Sequence, residues 1–199
     1  MSQHPEKIPI LLLAAGSSSR MGQSKQLLLI HGKPLLQQTA EELVAANTGD
    51  VIVVLGAQAE AHKKVIASTV LHIIENDQWQ NGMGSSIKLG LQFIEDQIPE
   101  AQAVIISVCD QPHLNKSHIQ EIATTYLNSK SPIIASAYNK TAGVPVLFDR
   151  SHFMALSQIE DKEGAKKVIQ QNINLVKTVS FPLGVIDLDT KEDYDTFSQ

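Results

Sequence analysis

Short apolar runs alternate with longer amphipathic segments through most of the chain, and this alternation constrains the fold more than any other feature. Ile8 to Ala14, Val51 to Leu55, Leu71 to Ile74, Val104 to Val108 and Ile133 to Ala137 are continuous apolar stretches. Runs of this kind suit strands buried on both faces of a parallel sheet. Between them, Pro34 to Asn47 places Leu36, Ala40, Leu43 and Val44 on one helical face, with Pro34 suited to a first turn. Gly84 to Gln97 and Asn115 to Leu127 read as further helices, each with Ser or Asn near its start as a candidate cap. The pattern predicts a three-layer α/β domain with a mostly parallel sheet and right-handed crossovers.

After Lys140 the regularity loosens. Val144 to Phe148 reads as a strand and Lys162 to Gln171 as a helix. Leu175 to Ser180 and Val185 to Leu188 read as two short strands, with a last helix after Thr190. No repeat, low-complexity tract or long linker divides the chain, so 1–199 is expected to be a single domain. A domain of this length buries roughly 70% of its unfolded surface, enough for a core without disulfides.

Composition removes several functional classes. The net charge is −5, which argues against a protein that coats nucleic acid through a basic surface. Cys109 is the one cysteine, so neither an internal disulfide nor a cysteine zinc site can form. The seven histidines lack metal-ligand spacing. No apolar stretch reaches the 18 or more residues of a membrane span, and Met1 to Lys7 lacks the features of a signal peptide. The expectation is a cytoplasmic protein that binds neither nucleic acid nor membrane.

The most informative stretch is Leu12 to Lys25. It leaves the first expected strand, where open α/β sheets bind ligands. Gly16-Ser17-Ser18-Ser19 offers unobstructed backbone N–H groups for an anion, and Arg20 and Lys25 add two cations. Arg can grip two phosphate oxygens, whereas Lys acts as a movable point charge. Walker A and dinucleotide GxGxxG spacings are both absent. On residue types alone, the loop also suits an ordinary strand–helix connection.

Leu13-Ala14-Ala15-Gly16-Ser17-Ser18-Ser19-Arg20-Met21-Gly22-Gln23-Ser24-Lys25, followed by Gly32-Lys33-Pro34-Leu35, resembles the signature of MobA-like nucleotidyltransferases. Within that family it looks most like the molybdenum cofactor cytidylyltransferases. Three later segments extend the resemblance. Asn76 to Ser86 is similar to the family's NxxWxxGMxxS segment, Asp110-Gln111-Pro112 to its DQP, and Asp187 to Asp193 to its DxDTPED with Lys191 in place of proline.

The resemblance implies a Rossmann-like nucleotide-diphospho-sugar transferase-type fold and transfer of CMP from CTP to the phosphate of molybdopterin, with release of pyrophosphate. It implies nucleotide contacts at Leu13, Ala14, Ala15, Gly16, Arg20, Lys25, Gly82 and Ser86. Arg20 and Lys25 would be catalytic, and Asp110 and Asp189 would hold Mg²⁺. On an extended strand, Asp187 and Asp189 would point the same way and could share a cation; Asp189, just before the Thr, is the better candidate for the second ligand.

Gly143 to Phe148 and Ile159 to Lys166 match the family less well. Val144, Glu160 and Lys166 depart from its pattern on the acceptor side. GTP as donor, a sugar phosphate, sugar acid or isoprenoid precursor as acceptor, and a non-catalytic accessory role serving a molybdoenzyme therefore stay open. Cys109 reads as an apolar filler rather than a nucleophile.

Overall fold

In the computed structural model, which describes residues 7–19, 21–129 and 131–197, the apolar runs become strands of one sheet, although the Leu71 to Ile74 run supplies a half-exposed edge strand and not one buried on both faces. Its order is β5 (His72–Glu75), β4 (Val51–Leu55), β1 (Ile10–Ala14), β6 (Ala103–Val108), β8 (Thr141–Asp149), β7 (Ile133–Tyr138) and β9 (Val176–Ser180). All pairings are parallel except those of β8, which runs against both β6 and β7. A two-stranded ribbon, β2 (Leu29–Ile30) with β3 (Lys33–Pro34), stands apart.

Two apolar layers cover the sheet. Along β1, Ile10 and Leu12 face one core while Leu11 and Leu13 face the other. The first core joins α1 (Leu35–Ala46), α2 (Ala59–Ile66) and α4 (Lys116–Ser129) through Leu43, Ile66 and Ile122; Phe197 of α7 (Lys191–Phe197) packs against it. The second holds α3 (Met83–Gln97), α5 (Phe153–Ser157) and α6 (Ala165–Gln171) through Ile87, Leu156 and Val168. A strand with both faces covered must be apolar at every position, and β1, β4 and β6 are buried throughout. The fold is therefore three-layered α/β, as the alternation requires.

Three local outcomes differ from expectation. α2 gives little signal in the sequence because it is short; only Ala59, His62 and Ile66 of its residues are buried. No serine caps α3: Gly82 precedes it, and the Ser85 hydroxyl donates back to the Gly82 carbonyl. Asn115 does cap α4, its side chain accepting from the His118 N–H.

The third difference is a correction. Val185 to Leu188 is not a strand. Residues Pro182–Val185 form a 3₁₀ turn, and Leu188, fully buried, donates its N–H to the Asp110 carbonyl. Pro182 lacks an N–H, and the Ile186 N–H closes the turn onto Leu183. The tail thus runs beside the Asp110 loop instead of extending the sheet. No helix among the described residues is long and apolar enough to cross a membrane.

Candidate active site

β1 and β6 end side by side, with Leu13 opposite Val108. A cavity of about 310 Å³ opens beyond them. Leu13, Ala14, Ala15 and Gly16 form part of its wall, and Gly82 and Ser86 from the start of α3 form another. Lys25 and Asp110 complete it. Eight residues named from the sequence thus meet in one place. Arg20 lies outside the described residues.

The Gly16–Ser19 loop is open toward solvent; among the described residues, the N–H groups of Gly16, Ser17 and Ser19 find no acceptor. Ser18 sits in the left-handed region at φ 53°, which turns the chain sharply. Free amides on a small-residue turn form a concave anion site.

Asp189 joins the cavity through Lys25. The Lys25 ammonium lies 2.7 Å from Asp110 Oδ2 and 2.9 Å from Asp189 Oδ1. Burial alone would lower the lysine pKa, but the two carboxylates outweigh it and hold the ammonium above its ordinary range, Asp110 most strongly. A cation standing between two carboxylates shows that both can face one positive charge. Two carboxylates with substrate phosphates are a donor set that suits Mg²⁺ or Mn²⁺. Among the described residues, no group of three His, Cys, Asp or Glu side chains is arranged to hold a metal, so a divalent ion here would need oxygens from its ligand.

Ser86 is oriented by Asn76, a residue whose part in the site the sequence reading did not isolate. The buried Asn76 amide donates to both Ser85 and Ser86 hydroxyls, while its carbonyl accepts from the Gln78 N–H. The Ser86 oxygen is thus engaged and its O–H is left to donate into the cavity. Trp79 also belongs to the site. It lines the cavity and lies across bare Gly56, where a Cβ would fall 2.6 Å from Trp79 Cβ and 2.7 Å from the Ala15 carbonyl.

A model of the MobA-like NTP transferase domain matches residues 10–176. The chain belongs to this family. It is a nucleotidyltransferase of the nucleotide-diphospho-sugar transferase fold. Nicotine blue oxidoreductase of Paenarthrobacter nicotinovorans is 27% identical over 199 residues, spanning 95% of this chain and 92% of that protein. The crystal structure of Rv0371c from Mycobacterium tuberculosis H37Rv superposes with a TM-score of 0.84 at 24% identity, over 98% of both chains. A manganese complex of Rv0371c gives 0.78 at 22% identity, over 96% of this chain and 97% of that one. CMP:2-keto-3-deoxy-manno-octonic acid synthetase complexed with CTP shares the fold at a TM-score of 0.72 and 14% identity, over 96% of both chains.

In this MobA-like chain a second recess, about 340 Å³, adjoins the first and shares Met83, Val108 and Asp110 with it. Asp187 lines this second recess, while Asp189 turns to Lys25. Both aspartates stay close to Lys25, Asp189 by direct contact and Asp187 through its charge. Burial raises the Asp187 pKa, and the charges of Asp189, Asp110 and Asp193 add to that, against the opposing pull of Lys25. Tyr138, Gln111 and Val144 also line the recess, and none of its described lining residues is a Lys, Arg or His.

The less typical Glu160–Gly164 segment folds back onto the start of α3. The Gly84 N–H donates to the Asp161 carbonyl at 2.8 Å, and Lys88 pairs with the Asp161 carboxylate. A Cβ on Gly82 would fall 2.2 Å from the Asp161 oxygen. Gly82 therefore both lines the cavity and lets this loop approach.

Proposed function

We propose that the chain transfers CMP from CTP to the phosphate of molybdopterin, releasing pyrophosphate with Mg²⁺ or a similar divalent cation. The observation that carries this reading is Lys25, standing between Asp110 and Asp189 beside a loop of unengaged amides. A triphosphate placed there meets loop N–H groups on one side and the ammonium on the other. Leu13, Ala14 and Ala15 wall the base side, where the Ala15 N–H, without an acceptor among the described residues, is the backbone group left to read the base edge; a methyl at Ala15 crowds a purine more than a pyrimidine. Gly82 and Ser86 supply the ribose side.

The acceptor is assigned to the second recess, with its phosphate at the shared Asp110. An ionised phosphate needs no general base to attack the α-phosphorus. Catalysis then rests on holding the reacting groups in line and on neutralising charge that grows on the α-phosphate and the departing pyrophosphate. Lys25, and Arg20 by resemblance, serve that neutralisation. A divalent ion held by Asp110 and Asp189 would add Lewis-acid charge at the same phosphates.

The recess bears on the acceptor's class. Without a cationic side chain among its described lining residues, it suits a neutral hydrogen-bonding ring better than a sugar acid, whose carboxylate would face Asp187. The Mn²⁺ in one structural relative and the CTP in another support the donor side of the reading. The name of the oxidoreductase relative suggests redox chemistry instead, but the GxGxxG loop of dinucleotide enzymes is missing here.

The test is a pyrophosphate-release screen of four nucleoside triphosphates against molybdopterin, a sugar phosphate and a sugar acid, with Mg²⁺ and with Mn²⁺. Release with CTP and molybdopterin is expected to exceed every other pair in kcat/KM. Release confined to a sugar acid, or none with any acceptor, overturns the assignment.

A further inference from the structure

The residue after Lys25 has no role in the reaction just described, yet it makes more hydrogen bonds to the anion loop than any other described side chain. Gln26 is 1% exposed. Its amide nitrogen donates to the Ala14 carbonyl at 3.1 Å and to the Gly16 carbonyl at 2.9 Å. Its carbonyl oxygen accepts from the Ser18 hydroxyl at 3.1 Å and from the Ser24 hydroxyl at 2.8 Å. Both donors and both lone pairs are used. The orientation is fixed chemically: backbone carbonyls only accept, so the nitrogen must face them.

These contacts determine where the loop amides point. In a trans peptide the N–H lies opposite the C=O of the same plane, and among the described residues only Val144–Pro145 is cis. Turning the Ala14 and Gly16 carbonyls toward Gln26 directs the Ala15 and Ser17 N–H groups away from it. The Ala15 carbonyl is held separately, by the Ala57 N–H at 3.0 Å, which orients the Gly16 N–H in the same manner. Three successive peptide planes are thereby set without any ligand.

The rest of the network ties this staple to the catalytic lysine and to α2. Ser18 Oγ, while donating to Gln26, accepts from the Lys25 N–H at 3.0 Å. Ser24 Oγ, while donating to Gln26, lies 2.7 Å from the buried His62 Nε2. With the Ser24 proton committed to Gln26, His62 must be the donor, which makes it the Nε2–H tautomer.

We propose that Gln26 is a positioning residue that pre-organises the Ala15–Ser19 amides for the triphosphate before nucleotide arrives, with Ser24 and His62 bracing it. Its effect on nucleotide affinity rests on the function proposed above; its effect on the loop does not. A Gly-Ser loop left to itself has many conformers, and selecting one at the moment of binding weakens affinity. Gln26 removes that cost in advance: a buried side chain satisfies the inward carbonyls of an otherwise open loop.

The test compares wild type with Q26M, which keeps length and loses every hydrogen bond, and Q26E, which keeps the acceptors but sets a carboxylate oxygen against two carbonyls. Loop exchange is read without nucleotide at the two protected amides anchored on the loop, the Lys25 N–H on the Ser18 hydroxyl and the Ala57 N–H on the Ala15 carbonyl, and CTP affinity with Mg²⁺ is read by calorimetry. Expected are at least tenfold faster exchange confined to these loop-anchored amides in both variants, and at least tenfold weaker CTP binding, with β1 and β6 exchange unchanged. Loop exchange within twofold of wild type, or CTP affinity within twofold while wild type binds, overturns the proposal. If Q26M fails to fold, S24A carries the same comparison: faster exchange confined to the loop supports the staple, and unchanged exchange overturns it. Wild type that binds no nucleotide sinks the proposed function alone, and the exchange difference still decides the staple.

Discussion

The Lys25 ammonium lies 2.7 Å from the Asp110 carboxylate although the two residues are 85 positions apart. β1 and β6 bring them together, because neighbouring parallel strands present their following loops at one edge of the sheet. The pair is partly shielded, with side-chain exposures of 17% and 23%, so the contact is little screened by solvent.

The first prediction follows from that pairing. Lys25→Met removes the charge-stabilising donor and should lower kcat by about 10²- to 10³-fold. It should also strengthen Mn²⁺ binding to the nucleotide-free protein severalfold, because Asp110 and Asp189 lose their resident cation. Electron paramagnetic resonance of free Mn²⁺ measures this directly. Unchanged Mn²⁺ affinity would show that the two carboxylates do not serve one cation site.

Gly82 supports a second prediction. Its φ is 130°, and a Cβ there would fall 2.2 Å from the Asp161 carbonyl oxygen. Gly82→Ala combines backbone strain with overpacking and should cost roughly 2–4 kcal/mol of stability. At Gly84 the backbone is helical, and a methyl group is opposed by close contacts alone, 2.3 Å to the Glu160 oxygen and 3.1 Å to Asp161. Gly84→Ala should therefore cost less, about 1–3 kcal/mol. Urea unfolding of both variants tests the order; equal or negligible losses would mean that the 160–164 loop yields freely.

These residues also show what the sequence could reveal. The strands were legible because burial on two faces demands unbroken apolar runs, and Val51–Leu55 appears with the bounds expected. Lys25, Asp110, Gly82 and Ser86 were legible through motif resemblance, not through spacing, since their meeting depends on strand order. Gln26 was not legible. A glutamine beside a lysine looks like a solvated pair, and only the inward turn of the Lys25–Leu27 segment buries it. The strand expected over Val185 to Leu188 fails for a related reason: a 3₁₀ turn runs from Pro182 to Val185, and the Leu188 N–H bonds to the Asp110 carbonyl instead of a sheet neighbour.

Cys109 precedes the metal-site candidate Asp110 and is 2% exposed. Burial, with the Asp110 charge adding to it, pushes its thiol up to about 12. At pH 8 the thiolate fraction is then on the order of one in ten thousand, too little for a nucleophile. Iodoacetamide should leave the folded protein unmodified over hours and label one thiol after denaturation. Rapid labelling of the folded state, suppressed by CTP, would instead return Cys109 to the reacting centre.

Acid stability provides the last prediction. His118 on α4 is 6% exposed, stacks on Phe181 at 4.3 Å between ring centroids, and has Nε2 2.8 Å from Ser136 Oγ. Ser136 donates its own proton to the Pro145 carbonyl, so the imidazole donates to Ser136 and needs no charge to do so. Burial lowers its pKa from 6.5 to about 4. Between those values the unfolded chain takes up a proton that the folded chain refuses, so stability falls as pH drops from 6.5 and levels off below 4. That gap, at about 1.4 kcal/mol per pH unit, bounds the effect near 3 kcal/mol. His62, also lowered by burial, adds a loss of the same sign. In His118→Gln, which keeps a donor and does not titrate, urea midpoints measured from pH 7 to pH 4 should decline less steeply than in wild type, with the His62 contribution remaining. Parallel declines in the two proteins would remove His118 as a source of acid sensitivity.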